Sequence, residues 1–165
     1  MPVGNPRSVD AMLSMLTDAE IASQSFYLRL MESFAHEPTA AQVWWKMGAD
    51  EAAHIRLLEQ VRKNLSPEQL QSPADPIWLE KARAAARFSP DKAMARIQTL
   101  EDAYQEAHAL EDSEINAVFE FVMTEFFPGR LRWNFVHNML REHVQRLYEL
   151  RTTEWRRSVS AQKSS

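Results

Sequence analysis

Glu51 and His54 have the residue types and the spacing of metal ligands. They stand three positions apart in a helical pattern, so their side chains project from one face of the helix, about one turn apart. That face is apolar, since hydrophobic residues lie four and seven positions from Glu51 on both sides: Trp44, Met47, Ile55 and Leu58. Burying a charge is unfavourable unless it is paired or binds a metal, and a Glu-x-x-His pair facing the inside of a helical bundle is typical of a carboxylate-bridged two-metal site. The segment therefore predicts a metal site among packed helices.

Further carboxylate and imidazole groups occur along the chain in positions that face inward. Glu20 lies in an apolar stripe, seven positions before Tyr27. Asp50, four before His54, is expected at the rim of the site. The complete set of ligand candidates is Glu20, Glu51, His54, Glu111, Glu114 and His143.

The composition limits both the ligands and the partners. The chain of 165 residues has no cysteine, which excludes disulfide bonds and thiolate-bound zinc or iron and leaves His, Asp and Glu as strong ligands. The net charge of −4 gives no reason to expect nucleic acid. No apolar run approaches the ~20 residues of a membrane span, and residues 1–7 lack the apolar core of a signal peptide. We expect a cytoplasmic protein that binds neither nucleic acid nor membrane.

Long helices are needed to bring these ligands together, and the composition favours them. Only 3 residues are glycine, and 45% are hydrophobic. Apolar residues at three- and four-residue steps predict four helices, with a crossover that contains short helix starts between the second and the third. The predicted helices cover residues 8–35, 39–64, 89–126 and 130–157, and the crossover covers residues 65–88.

The two halves of the chain resemble each other. Asp18-Ala19-Glu20-Ile21 in the first predicted helix matches Asp112-Ser113-Glu114-Ile115 in the third, and His54 aligns with His143 of the fourth. Two similar helical hairpins joined by a crossover place four helices around one interior. We therefore predict a single all-α domain over residues 1–165, with its core in residues 8–157 and a frayed tail in residues 158–165.

The order of these ligands resembles that of the ferritin-like superfamily, and most closely the rubrerythrin-type diiron domain. That domain has Glu on its first helix, Glu-x-x-His on its second, Glu on its third and Glu-x-x-His on its fourth. The run Asp50–Leu58 and the interval from Glu20 to Tyr27 look like its first two ligand segments. The resemblance covers residues 8–157 and implies an antiparallel four-helix bundle with a long crossover between helices 2 and 3. It also implies one or two bound iron ions, with manganese or zinc as alternatives, and oxidation of ferrous iron by oxygen or peroxide.

The chain departs from the family pattern at Leu140. This position, three before His143, corresponds to the second bridging glutamate, and leucine cannot bind a metal. Glu142 lies roughly 100° round the helix from His143, so Glu111, one turn from Glu114, is the better replacement. Loss of the carboxylate lowers the negative charge of the site and should weaken one metal position, which leaves a single-metal site as an alternative.

The resemblance also implies roles and partners. It assigns the ligands as follows: Glu51 bridges two ions, Glu20 and His54 bind one of them, and Glu111 or Glu114 with His143 binds the other. Rubrerythrins pair this domain with a cysteine-ligated iron domain, and the present sequence has no cysteine, so a separate protein would donate electrons. We expect a homo-oligomer, most simply a dimer formed through aromatic surface residues.

A second hypothesis explains the same residues without a metal. Interior glutamates can be protonated, and buried histidines can be hydrogen-bonded core residues. The bundle would then be a structural or interaction module without redox activity. Without a metal or a cation, buried glutamates should destabilise the fold as the pH rises through their raised pKa values, whereas a metal site should gain stability from added ferrous or manganous ion.

Overall fold

The structure, a computed structural model, describes residues 4–127, 129 and 132–163. Helices are the regular elements throughout these ranges and no β-strand occurs in them, which confirms the all-α class. The bounds are α1 Val9–Ser33, α2 Pro38–Asn64, α3 Pro67–Gln71, α4 Pro76–Ala85, α5 Pro90–Ala95, α6 Leu100–Glu111, α7 Glu114–Phe126, α8 Arg132–Gln145 and α9 Thr153–Ser158. A 3₁₀ turn, Arg146–Glu149, follows α8. Within the described ranges, none of the helices has both the length and the apolar character to cross a membrane.

The helices α1 and α2 agree with the first two predicted helices to within two residues. The Ser8 hydroxyl caps α1 by accepting a hydrogen bond from the Ala11 backbone N–H at 3.1 Å. Pro38 begins α2, where its fixed φ angle suits the first helical position and its missing N–H has no cost. These two long helices carry half of the ligand candidates.

Contacts along α1 and α2 show that the two helices run antiparallel. The Arg62 guanidinium, near the end of α2, contacts Asp10 near the start of α1. Gly48 of α2 lies against Leu28, near the other end of α1. A Cβ at Gly48 would lie 3.2 Å from Leu28 Cδ2, so the glycine allows a close approach of the two helices at this level. The hairpin therefore holds the inner face of α2 tightly against α1.

The crossover contains two short helices, with the starts that the sequence predicts. Ser66 and Asp75 cap α3 and α4, and each of these helices has proline at its first position. Helix α4 packs against α1 and α7, and its Trp78 ring stacks on Phe121 with ring centroids 4.4 Å apart. The crossover thus covers one side of α1 and α7.

The third predicted helix, residues 89–126, is divided into α5, α6 and α7. Its start at Pro90, with Ser89 as the cap, is as predicted. Thr99 and Ser113 interrupt it, because both have extended backbones and side chains that accept hydrogen bonds from the N–H groups of the next helix. A capping hydroxyl offers the chain an alternative to a continuous helix, even where the apolar pattern continues. The second break leaves Glu111 in the last turn of α6.

The fourth predicted helix, residues 130–157, is also divided. Residues 130 and 131 lie outside the described residues. The chain leaves α8 after Gln145, makes the 3₁₀ turn, becomes extended at Leu150 and forms α9 only from Thr153. Two adjacent threonines, Thr152 and Thr153, are weak helix formers, which favours the interruption. The 3₁₀ turn packs against α2.

The tail after α9, predicted to be frayed, is fixed by backbone hydrogen bonds as far as Gln162. The Leu100 N–H donates to the Val159 carbonyl at 2.8 Å, and the Ala161 N–H donates to the Gln98 carbonyl at 2.8 Å. The Gln162 N–H donates to the carbonyl of Ser33, at the end of α1, at 2.9 Å. Periodicity does not predict these bonds because they join residues that are distant in sequence. Residues 164 and 165 lie outside the described residues.

The start of α6 is stabilised by a capping box, which gives a testable prediction. The Thr99 hydroxyl accepts from the Asp102 N–H at 3.2 Å, and the Asp102 carboxylate accepts from the Thr99 N–H at 2.9 Å. Thr99→Ala should lower the free energy of unfolding by about 1 kcal/mol in urea titrations followed by circular dichroism. Thr152→Ala is the matched control, since Thr152 precedes α9 without a side-chain capping bond, and its effect should stay below about 0.5 kcal/mol.

Among the described residues, the interior is apolar except for two serines and one group of charged or titratable side chains. Its largest fully buried side chains are Trp44, Tyr27, Phe26, Phe34 and Phe119. Apart from two serines, every buried polar or charged side chain in the described ranges is one of the predicted ligands: Glu20, Glu51, His54, Glu111 and His143. The polar groups of the core are therefore concentrated in these five residues.

Candidate metal centre

The α1–α2 hairpin holds one group of three buried candidate ligands. Glu20 of α1 and both Glu51 and His54 of α2 are at most 2% exposed. His54 Nδ1 lies 2.8 Å from Glu51 Oε2 and 3.3 Å from Glu20 Oε2. The three side chains converge because Glu51 and His54 share the inner face of α2 and the antiparallel packing puts Glu20 opposite them. They offer two carboxylates and one imidazole to a single metal ion.

A second group joins Glu51 to residues of the later helices. Glu111, in the last turn of α6, and His143, near the end of α8, are 6% and 1% exposed. His143 Nε2 lies 3.2 Å from Glu51 Oε1 and 3.2 Å from Glu111 Oε1. In each group, one ligand atom per residue lies within 4.8 Å of the others. Glu51 therefore belongs to both groups, with one carboxylate oxygen near each histidine.

Asp50 orients His143 from outside the two groups. Its Oδ2 accepts hydrogen bonds from His143 Nδ1 at 3.0 Å and from Arg146 Nε at 2.6 Å. Burial alone would raise the pKa of Asp50, but His143 and Arg146 hold this pKa below its ordinary value. With Nδ1 occupied by Asp50, His143 presents Nε2 to Glu51 and Glu111. Asp50 lies at the rim, as the sequence indicates, but its contact with His143 was not foreseen.

Tyr27 and Asn116 hold the Glu111 carboxylate. The Tyr27 hydroxyl donates to Glu111 Oε1, and Asn116 Nδ2 donates to Glu111 Oε2 at 2.7 Å. Burial and the neighbouring Glu111 raise the pKa of Tyr27 well above its ordinary value, so the phenol keeps its proton. The sequence offers one signal for Tyr27, its position two turns beyond Glu20 on the same face, and none for Asn116.

Protons supply the positive charge of the cluster in the absence of a metal. Burial, together with the negative charge of Glu51, raises the pKa of Glu20 to about 8. Burial would lower the pKa of His54, but the carboxylates of Glu20 and Glu51 raise it to about 10. Burial likewise opposes a charge on His143, yet Glu111, Glu51 and Asp50 raise the pKa of His143 well above its ordinary value. At neutral pH, Glu20, His54 and His143 therefore all carry protons.

Glu51 behaves differently from Glu20 although both carboxylates are buried. Burial alone would raise the pKa of Glu51, but the charges of His143 and His54 and their hydrogen bonds lower it below its ordinary value. The residue common to both groups is therefore ionised at neutral pH. An ionised carboxylate between two cationic groups has the charge arrangement that a bridging ligand requires.

The chemistry of the donor set fits a divalent transition metal. Three carboxylates and two imidazoles suit iron, manganese or zinc, and the protein has no sulfur ligand of the cysteine type. Among the described residues, Glu20 Oε1 and His54 Nε2 are buried and have no hydrogen-bond partner. A buried polar atom without a partner is unfavourable, and a metal ion at Glu20 Oε1 would satisfy that atom.

Glu114 and Leu140 lie outside the buried cluster of glutamates and histidines. Glu114, at the start of α7, forms an ion pair with Lys81 of α4 at 2.7 Å, and its side chain is 44% exposed. Of the two alternatives that the sequence left open on the third predicted helix, the structure therefore brings Glu111 into the cluster and leaves Glu114 at the surface. Leu140 is 7% exposed and packs in the apolar core. Its side chain has no atom that can bind a metal.

No family model, curated protein or solved structure matches this chain. These comparisons therefore assign no function to the chain. The fold and the site define an all-helical protein with a buried cluster of glutamates and histidines that can hold a metal ion.

Proposed function

We propose that this chain is a ferritin-like protein of the rubrerythrin type that binds one or two divalent metal ions at the buried cluster. Iron is the metal that we propose first. The observation that carries the proposal is the position of Glu51, whose two carboxylate oxygens face two different histidines. Each histidine also has its own second glutamate, Glu20 beside His54 and Glu111 beside His143. This is the donor arrangement that a carboxylate-bridged pair of ions needs.

The arrangement of helices supports the four-helix part of the proposal. The ligands come from four elements, α1, α2, α6 and α8, with one histidine in each half of the chain. Helix α7, which follows α6, packs against α8, α1 and α2. We therefore infer an antiparallel bundle whose third helix is interrupted by Ser113 and whose fourth is shortened to α8.

Iron bound here would supply electrons for the reduction of oxygen or peroxide, two ferrous ions giving one electron each as peroxide takes up two protons and becomes two waters. The chain's own residues exclude water, since all five ligands are at most 6% exposed. Asp50 fixes the His143 ring, while Tyr27 and Asn116 fix Glu111. Because the sequence has no cysteine for an electron-transfer iron site, we propose a separate protein as the electron donor.

The number of ions depends on charge. Three carboxylates leave two divalent ions with one positive charge in excess, whereas a fourth carboxylate in place of Leu140 would have neutralised it. The first ion should therefore bind more tightly than the second. Both positions have the same kinds of ligand, because Glu51 serves each of them and each adds one glutamate and one histidine.

Anaerobic titration with ferrous ion tests the proposal. We expect saturation at one or two ions per chain, followed by formation of ferric ion when hydrogen peroxide is added. Parallel titrations with manganous and zinc ions compare the metals. If none of the three metals binds, the cluster is a metal-free hydrogen-bonded core, and the proposal is wrong.

Asp50→Asn should lower metal affinity without removing a ligand. The change keeps the size of the side chain but removes the charge that orients His143 through Nδ1, and loss of such a partner typically lowers metal affinity about 10- to 100-fold. Competition with a chelator measures the affinity. Glu149→Gln is the control, because it removes the surface ion pair with Lys46 and should leave metal affinity unchanged.

A further inference from the structure

We propose that a divalent cation reaches the cluster through the groove between α7 and α8, with Asn116 as the last side chain on its way. This inference rests on the proposed metal site. The groove has a volume of about 430 Å³ and is open to solvent along the two helices. Its lining includes Glu111, which is also a member of the cluster, so the groove borders a candidate ligand.

Asn116 separates the groove from the Glu111 carboxylate. It is partly buried, lines the groove and donates from Nδ2 to Glu111 Oε2 at 2.7 Å and to the Glu111 carbonyl at 3.1 Å. The Glu111 side chain behind it is only 2% exposed. A cation that arrives in the groove must replace the amide at Oε2, and the Asn116 carbonyl oxygen is a hard ligand suited to accompany it.

The walls of the groove allow a cation to pass but offer few groups that could bind it. Leu140 and Ala117 line it and cannot hold a cation. Glu120 also lines the groove, and its Oε1 lies 3.5 Å from His137 Nδ1. Arg141 of α8 lines the groove as well and carries a positive charge. Glu120 is the carboxylate in the groove itself, and the Glu111 carboxylate lies behind Asn116, so an attracted cation meets first the outer and then the inner negative charge.

Narrowing the groove tests the route. Ala117→Leu adds bulk to the wall without touching a ligand. We expect the association and dissociation rates of cobaltous ion, measured by stopped-flow absorbance and by release into excess chelator, to fall by the same factor, about fivefold or more, while Kd stays unchanged. Both rates fall by one factor at constant Kd when a substitution raises the barrier to passage of the ion and leaves the free and the bound protein unchanged.

Ala109→Leu is the matched control. Ala109 is an exposed helical alanine that lines a different groove of about 430 Å³, and none of the five cluster residues is among the described residues that line it. The same substitution there should leave both rates unchanged. Equal slowing by the two variants would overturn the proposed route, and so would a change of only one rate by Ala117→Leu, which would indicate a disturbed ligand.

Removing the charge of Glu120 is a second, independent test. Glu120→Gln should slow association of cobaltous ion and weaken the dependence of this rate on ionic strength, because less attraction remains to be screened. Glu125→Gln, on the same helix but outside this groove, is the control. Unchanged rates in both Ala117→Leu and Glu120→Gln would overturn the proposed route but not the proposed metal site. If the unaltered protein binds no cobaltous ion, both proposals are wrong.

Discussion

Glu51→Ala should abolish metal binding at both positions. Glu51 is the residue that the two ligand groups share, so its loss leaves each histidine with a single glutamate. The unaltered protein should gain about 2.7 kcal/mol of stability when the free metal concentration is 100 times Kd, and the variant should gain nothing. Elemental analysis of protein purified without chelator, together with thermal unfolding with and without manganous ion, measures both effects.

Glu114→Ala is the matched control for this experiment. Glu114 was also a ligand candidate from the sequence, but its exposed carboxylate pairs with Lys81. We expect this variant to bind as much metal as the unaltered protein. Loss of metal in both variants would contradict the ligand set, and retention of metal by Glu51→Ala would show that Glu51 does not bridge.

Metal binding should release about three protons per chain at pH 7 when both positions fill, because Glu20, His54 and His143 all carry protons in the metal-free cluster. One ion held by Glu20, Glu51 and His54 should release about two protons, and one ion held by Glu51, Glu111 and His143 about one. The released protons can be counted by mixing the protein with manganous ion in a weak buffer that contains a pH indicator. Glu20→Gln should release about one proton fewer, and a count of zero would contradict the proposed exchange of protons for metal.

The same pKa values predict how the metal-free protein responds to pH. Glu20 has a pKa of about 8 in the folded state against 4.5 ordinarily, and His54 about 10 against 6.5. The folded state therefore holds protons that the unfolded chain has lost, so stability should fall as the pH rises from about 4.5 towards 10. Urea unfolding in the presence of chelator measures the trend. With saturating manganous ion, stability should instead rise between about pH 4.5 and 6.5, where the unfolded chain still holds protons that the metal has displaced from the cluster, and should level off above that range.

The sequence predicts which side chains face inward well where a helix is continuous. Glu51 and His54 are correctly placed on one inner face because α2 has no interruption over Pro38–Asn64. Glu20 faces inward as its apolar stripe predicts. In such helices the three- and four-residue periodicity fixes the direction of each side chain, so spacing is sufficient to group the candidate ligands.

The sequence is less informative where a capping residue breaks the helix. The internal repeat aligns Glu20 with Glu114, but the structure puts Glu111 in the cluster. The extended backbone of Ser113 separates the two helices, so Glu111 and Glu114 no longer share one face. A serine or threonine in an otherwise helical pattern can therefore be either a surface residue of a continuous helix or the cap at which a new helix begins.

The residues that support the ligands could not be identified from local spacing. Asp50 and His143 are 93 positions apart, and Tyr27 and Glu111 are 84 apart. Such pairs form only when separate helices pack, and no helical period relates their positions. Their polar types alone do not distinguish them from solvated residues elsewhere on the chain.

The two histidines of the cluster use different ring nitrogens. His54 turns Nδ1 towards its glutamates and leaves Nε2 without a partner among the described residues, whereas His143 turns Nε2 inward and gives Nδ1 to Asp50. The resemblance between the halves of the sequence therefore does not extend to a two-fold symmetry of the site. When zinc ion is bound, His54 should keep its proton on Nε2 and His143 should keep its proton on Nδ1. Nitrogen NMR of labelled histidine in the zinc-bound protein should accordingly give two distinct tautomer signatures, so that the occupancy of each position can be followed separately in one sample.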